Sequence, residues 1–304
     1  MPKFSFPQKV SVYEVSPRDG LQNESVTLPT TRKLRLIEAL LGAGIARIEV
    51  TSFVAPSWVP QLADAEQVVG GLDLNQARFS ALCPNLKGLE RARAAGIHEI
   101  AVFVSASDTH NRKNVNATIT DTLSNFRVLV PQAVSSGLKV RGYVSTVWGC
   151  PYEGVVSDDA SQRLCQELLG LGCYQVSLGD TIGVATPLDV ARTLELYTSD
   201  IAQDRIALHL HDTRGTALAN VLMGLQMGVR TFDSAVAGLG GCPYAPGAAG
   251  NLATEDLVYM LRGMGIQTGI DLEKLWEAGR VAEAIVGRRL PGKVHQAGVR
   301  SLRR

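Results

Sequence analysis

The feature that most limits the fold is a repeated beat. Short apolar, β-branched runs recur roughly every 30–40 residues, each followed by a segment with helical spacing. The runs are 10–15, 46–51, 78–82, 99–104, 139–144, 174–178, 206–210 and 231–236. Helical patterning fills stretches between them, at 30–42, 122–136, 161–171 and 216–227. Leu41-Gly42-Ala43-Gly44 and Ala94-Ala95-Gly96 place glycine where a helix closes in the left-handed conformation. Eight strand–helix units over about 240 residues predict an α/β fold, a (β/α)8 TIM barrel. An open doubly wound sheet is the runner-up. It is weakened because Ser16-Pro17-Arg18-Asp19-Gly20, not a dinucleotide fingerprint, follows the first strand. No linker-like composition divides the chain, so one domain is expected over 1–304. The barrel would occupy about 10–265, and a C-terminal helical extension over about 271–304 would pack outside it.

Composition narrows the partners. Thirty Lys+Arg against 29 Asp+Glu leave a net charge of +1, which argues against nucleic acid. No apolar run reaches the roughly 18 residues of a membrane span. Five cysteines (Cys83, Cys150, Cys165, Cys173 and Cys242) without CxxC spacing argue against a disulfide framework and against a cysteine zinc site. Neither end carries a targeting signal, and the expected location is cytoplasmic.

Barrel chemistry collects at the C-terminal ends of strands. Polar residues recur there: Arg18, Asp19 and Gln22 after the first strand, Glu49 and Ser52 on and after the second, Asp180 after the sixth. His209 and His211 lie two apart on the seventh, so both side chains share a face. Two imidazoles converging at a barrel mouth are a natural start for a divalent metal site, and Asp19 can add a carboxylate. Glu49 and Asp180 are candidates for supporting a ligand or moving a proton. A buried Glu49 needs a partner, and Arg18 is available. The segment after the eighth strand, 236–251, holds five glycines around Cys242. A loop of that kind can close over a ligand and present the thiol as proton donor or nucleophile.

These residues resemble the 3-hydroxy-3-methylglutaryl-CoA lyase family, within a wider group of metal-dependent barrel lyases and acyl-CoA or pyruvate condensing enzymes. The likeness runs from about Val12 to about Gly287. It is carried by Ser16-Pro17-Arg18-Asp19-Gly20-Leu21-Gln22-Asn23-Glu24, Pro84-Asn85-Leu86-Lys87-Gly88, Gly149-Cys150-Pro151-Tyr152-Glu153-Gly154, Ser177-Leu178-Gly179-Asp180-Thr181-Ile182-Gly183 and the loop around Cys242. The resemblance implies Mg2+ or Mn2+ held by Asp19, His209, His211 and Asn251. It also implies Arg18 at the thioester carbonyl or its enolate, Cys242 as the catalytic thiol, and a homodimer. Arg214 stands where many relatives carry another residue.

The implied reaction is a retro-Claisen cleavage of an acyl-CoA. The tertiary C3 hydroxyl loses its proton, C2–C3 breaks, and the acetyl-CoA enolate is protonated. Cys242 would donate that proton, and His209 or Asp180 would take the hydroxyl proton. Gln22, Ser52, Arg112 and Lys113 are substrate-binding candidates, the last two toward the CoA phosphates. Alternatives are a lyase for longer 3-hydroxy-3-alkylglutaryl thioesters, a Claisen condensing enzyme, and, from another class, a non-haem Fe(II) oxygenase built on two histidines and a carboxylate.

Overall fold

The computed structural model describes residues 6–241 and 250–299. Eight parallel strands close into a barrel in chain order. They are β1 (Ser11–Glu14), β2 (Arg47–Ser52), β3 (Arg78–Leu82), β4 (Glu99–Ser105), β5 (Lys139–Ser145), β6 (Gln175–Asp180), β7 (Ile206–Leu210) and β8 (Thr231–Ser234). β1 pairs with both β2 and β8, which shuts the cylinder and excludes the open sheet.

Eight of the helices lie between strands: α1 (Thr30–Gly42), α2 (Ala65–Gly70), α3 (Leu86–Ala94), α4 (Asp108–Val115), α5 (Ile119–Ser135), α6 (Asp158–Leu171), α7 (Pro187–Tyr197) and α8 (Ala217–Gln226). After the last strand come α9 (Thr254–Gly263), α10 (Leu272–Val286) and α11 (Lys293–Ala297). α10 packs on α1 and on the turn that follows β8.

Local chemistry sets the boundaries. Thr118 and Asp121 form a reciprocal capping box, so α5 starts earlier than its apolar spacing alone suggests. Thr186 and Asp189 do the same for α7. Gly44 has φ +88°, and a Cβ there would stand 2.7 Å from Gly269 O, so the α1–β2 turn requires glycine twice over. The eighth strand ends two residues sooner than expected, because Val236–Gly238 coils into a tight helical turn. The polar segment after the fourth strand, which holds Arg112 and Lys113, is helical. It is helix α4, with the Ser107 hydroxyl accepting from His110 N–H at 3.1 Å as its N-cap.

The apolar core lies between the strands and the helices, and includes Ile48, Val102, Leu178, Leu208 and Phe232. The barrel interior is largely polar. Tyr13, Ser80, Glu99, Arg141, Gln175, Ser177 and Asp233 are all buried and joined by hydrogen bonds. Such groups are tolerated inside only when every partner is supplied.

Candidate active site at the barrel mouth

Strand pairing and one unusual turn assemble the site. Beyond β1 the chain makes a single wide helical turn, Ser16–Gly20, where the N–H groups of Arg18, Asp19 and Gly20 all return to Val15 O. The turn swings Arg18 and Asp19 back over the mouth. β7 delivers His209 and, just past its end, His211. The backbone of His211 bridges to Asn251, one residue after the described chain resumes.

Asp19, His209 and His211 place one ligating atom each within 4.8 Å of the others. The two Nε2 atoms face each other at 3.3 Å, and Asp19 Oδ2 lies 3.9 Å from that of His209. Two atoms bound at right angles to one octahedral cation, each about 2.1 Å from it, stand about 3 Å apart. The donors therefore fit a divalent ion. Their charge states fit as well. Burial, helped by His209, pushes His211 down to about 4, so its imidazole is neutral near pH 7. Burial works to raise Asp19, but Arg18 and the two histidines outweigh it and bring the carboxyl to about 2. Asn251 donates its amide to Asp19 Oδ2 at 2.8 Å and to Leu239 O at 3.2 Å.

Arg18 sits beside this cluster. Its Nε donates to Glu49 Oε2 at 2.6 Å and its Nη1 to Asp19 Oδ1 at 2.6 Å. The guanidinium also lies over the Tyr143 ring, 5.6 Å from its centre. Burial raises Glu49 against the pull of Arg18. A cavity of about 460 Å3 opens above these groups. Arg18, Asp19, Gln22, Tyr143, His209 and His211 line one part of it, and Val54, Trp58, Val59 and Val115 supply an apolar wall.

The other expected site residues fall in different places. Asp180 is buried, and its two oxygens accept from Val184 N–H at 2.9 Å and Ala185 N–H at 3.0 Å. It is thus engaged in holding the turn after β6, and it does not line the cavity. Burial raises its carboxyl despite those bonds. Ser52 is buried with its hydroxyl 3.4 Å from Leu82 O. On α4, Arg112 pairs with exposed Asp108 at 2.7 Å and Lys113 lies over the Tyr152 ring. Neither lines the cavity, whereas His110 and Asn114 of the same helix do. Arg214 donates to Ile182 O at 2.7 Å and Gly183 O at 3.1 Å, tying two mouth loops together. Cys242 lies outside the described residues, while Gly241 before it reaches the cavity.

Two groups escaped the sequence reading. Tyr143 lines the cavity, and Asp233 faces His209 from behind. The available signal was Arg141 and Tyr143 alternating on an apolar strand, a period-2 polar face inside a barrel. Among the other cysteines, Cys83 and Cys165 are buried and pushed above the ordinary thiol range, and Cys173 is pushed up to about 12 by burial. Thiols in such surroundings are inert.

Comparison with known proteins places the chain in a family. The HMGL-like family model matches residues 9–282. The mitochondrial hydroxymethylglutaryl-CoA lyase of Bos taurus is 49% identical over 294 residues, covering 96% of this chain and 90% of that protein. Rodent relatives of similar identity are named cytoplasmic. The HMG-CoA lyase of Bacillus subtilis superposes with a TM-score of 0.94 at 48% identity, covering 96% of this chain and 98% of that one. An HMG-CoA lyase from Acinetobacter baumannii, in complex with coenzyme A and 3-methylmalate, gives 0.93 at 40% identity, covering 99% and 98%. The chain belongs to the HMGL-like family, that of the HMG-CoA lyases.

Proposed function

We propose that this protein cleaves 3-hydroxy-3-methylglutaryl-CoA to acetyl-CoA and acetoacetate. One observation carries the reading. A three-residue O,N,N donor set and a buried arginine share one end of a cavity large enough for an acyl group. The extensive identity to curated lyases, and coenzyme A in a close structural relative, support an acyl-CoA substrate.

Asp19, His209 and His211 would hold the cation. Asn251 would join through Oδ1, which requires its amide to turn from the hydrogen bond with Asp19. The oxygen and imidazole donors suit Mg2+ or Mn2+ in six-fold coordination. A bound divalent ion acidifies the C3 hydroxyl and offsets the charge left on that oxygen. Arg18 supplies the second fixed charge. Locked between Asp19 and Glu49, it meets the thioester oxygen as C2–C3 breaks and negative charge moves there, a contribution of roughly 3–4 kcal/mol. Cys242 delivers the proton that converts the enolate carbon to methyl. For the hydroxyl proton, His209 faces the cavity but offers only Nε2, the nitrogen a cation would use. Among the described residues Glu49 Oε1 is buried without a hydrogen-bond partner, though Glu49 does not line the cavity. Gln22 borders the acyl end, and Arg112 and Lys113 lie on the α4 side where the CoA phosphates would pass.

The four described cysteines are free, which supports a reducing compartment such as the cytoplasm, and a homodimer is the expected assembly. The direct test is product analysis. Purified protein with 3-hydroxy-3-methylglutaryl-CoA should release acetyl-CoA and acetoacetate in equal amounts, without oxygen uptake. Longer 3-alkyl thioesters in the same panel define the acyl range. Oxygen-dependent turnover, or no cleavage of any member, would overturn the reading.

A further inference from the structure

His209 has two ring nitrogens, and the fold gives each a different neighbour. Nε2 faces His211 and Asp19. Nδ1 points the other way, to Asp233 Oδ2 at 3.3 Å. The β7–β8 register sets His209 directly beside Asp233, so strand pairing alone brings the two together. Asp233 is almost completely buried and does not line the cavity.

Its carboxylate is clamped. Arg141 donates through Nη2 to Oδ1 at 2.6 Å and through Nη1 to Oδ2 at 3.1 Å, and the Ser177 hydroxyl donates to Oδ2 at 2.8 Å. Arg141 is itself fixed. Its guanidinium lies 4.1 Å from the Tyr13 ring centre and 4.9 Å from that of Tyr143, and Nε donates to Gln175 Oε1 at 3.2 Å. A bidentate guanidinium and a hydroxyl leave the carboxylate no freedom to rotate.

We infer that Asp233, held by Arg141 and Ser177, is the positioning residue for His209. It selects the Nδ1–H tautomer and aims a bare Nε2 at the Asp19–His211 cluster. A carboxylate only accepts hydrogen bonds, so a ring carrying one hydrogen keeps it on the side facing Asp233. A carboxylate behind a ligating histidine fixes ring orientation and strengthens the ligand. His209 then acts as a ligand, and Nδ1 is closed to proton transfer. Arg141 provides the opposite charge that lets a carboxylate remain in the interior. The inference rests on the metal-site reading above.

Two measurements test it. In the first, long-range 1H–15N spectra of 15N-histidine-labelled, EDTA-treated protein report the His209 tautomer, with the signal assigned by its loss in His209→Gln. Nδ1–H is expected, and an Nε2–H tautomer overturns the inference without any variant having to fold. The second is Mn2+ titration by electron paramagnetic resonance on the intact protein. Wild type should bind one Mn2+ per chain, and if it binds none, the metal-site reading itself fails. Given that binding, Asp233→Asn should weaken Mn2+ by about 10- to 100-fold. Because that variant strands the Arg141 charge, Arg141→Met/Asp233→Asn is measured beside it, with circular dichroism as the check on folding. A folded double variant whose Mn2+ affinity lies within twofold of wild type overturns the inference.

Discussion

Arg18 and Glu49 form a buried ion pair, Nε to Oε2 at 2.6 Å, and the same guanidinium reaches Asp19 through Nη1 at 2.6 Å. One cation is thus held between two carboxylates, and one of those belongs to the proposed metal cluster. The pair joins β2 to the turn after β1, so the charge offered to substrate is placed by the barrel wall and not by a mobile side chain. Preorganised charge of this kind acts on the transition state more than on the ground state.

Arg18→Gln is therefore expected to lower kcat by about 10²–10³ and to raise KM far less. Steady-state kinetics on folded variant, with Tm as control, measures both. A large KM rise at unchanged kcat would make Arg18 a uniform binding group.

Removing the cation should abolish turnover. Protein stripped with EDTA is expected to be inactive and to recover on adding Mg2+ or Mn2+. His211→Ala should weaken the ion at least as much as the roughly 10-fold or greater loss typical of disturbed ligand surroundings. Full activity in stripped protein would remove the metal from the mechanism.

Cys242→Ser should retain fold and metal binding yet lose about 10²–10⁴ in kcat, the scale of a positioned acid. A serine hydroxyl is a far weaker acid than a thiol and should not rescue the step. Cys83→Ser is the control, since Cys83 is buried away from the mouth and its Sγ lies 3.7 Å from Gly88 O. Near-normal turnover by the Cys242 variant would remove the thiol from the mechanism.

Glu255 should make stability depend on pH. It is buried on α9, accepts from Ala237 N–H at 2.6 Å, and lies 3.8 Å from His295 Nδ1. Burial, with Glu14 and Asp256 nearby, raises its carboxyl from 4.5 to about 8. The folded protein thus binds a proton that the unfolded chain has released above 4.5. Stability from this group is present below 4.5 and lost as pH climbs toward 8, at most about 1.4 kcal/mol per pH unit. Glu255→Gln should flatten that slope. Urea denaturation of both proteins from pH 5 to 8 gives the difference, in which the opposite trend from His211 cancels. Parallel curves would show that Glu255 does not carry the proton.

How much of this was legible beforehand follows from the range of the forces involved. The strand–helix beat is written locally, because apolar periodicity must match the element that buries it, and α1 was predicted residue for residue as Thr30–Gly42. The His209–His211 pair was legible for the same reason, since alternation along a strand puts both on one face. Strand and helix order then implied a barrel, and the barrel implied where polar residues at strand ends would meet. The shortened β8 and the helical form of α4 were not legible, because each depends on hydrogen bonds made by a turn or a cap.

What the chain alone could not decide was which polar residues face the cavity and which are already engaged. Asp180 and Asp19 both read as acids at strand ends. Closure of the barrel left Asp19 among histidines and gave the oxygens of Asp180 to two backbone N–H groups. Asp233 and Arg141 lie 92 positions apart, and only curling β5 and β8 around one axis turns them into a buried pair behind His209. Periodicity is a property of neighbours in sequence. Register, burial and hydrogen-bond satisfaction are properties of neighbours in space, and the chemistry of this site belongs to the second kind.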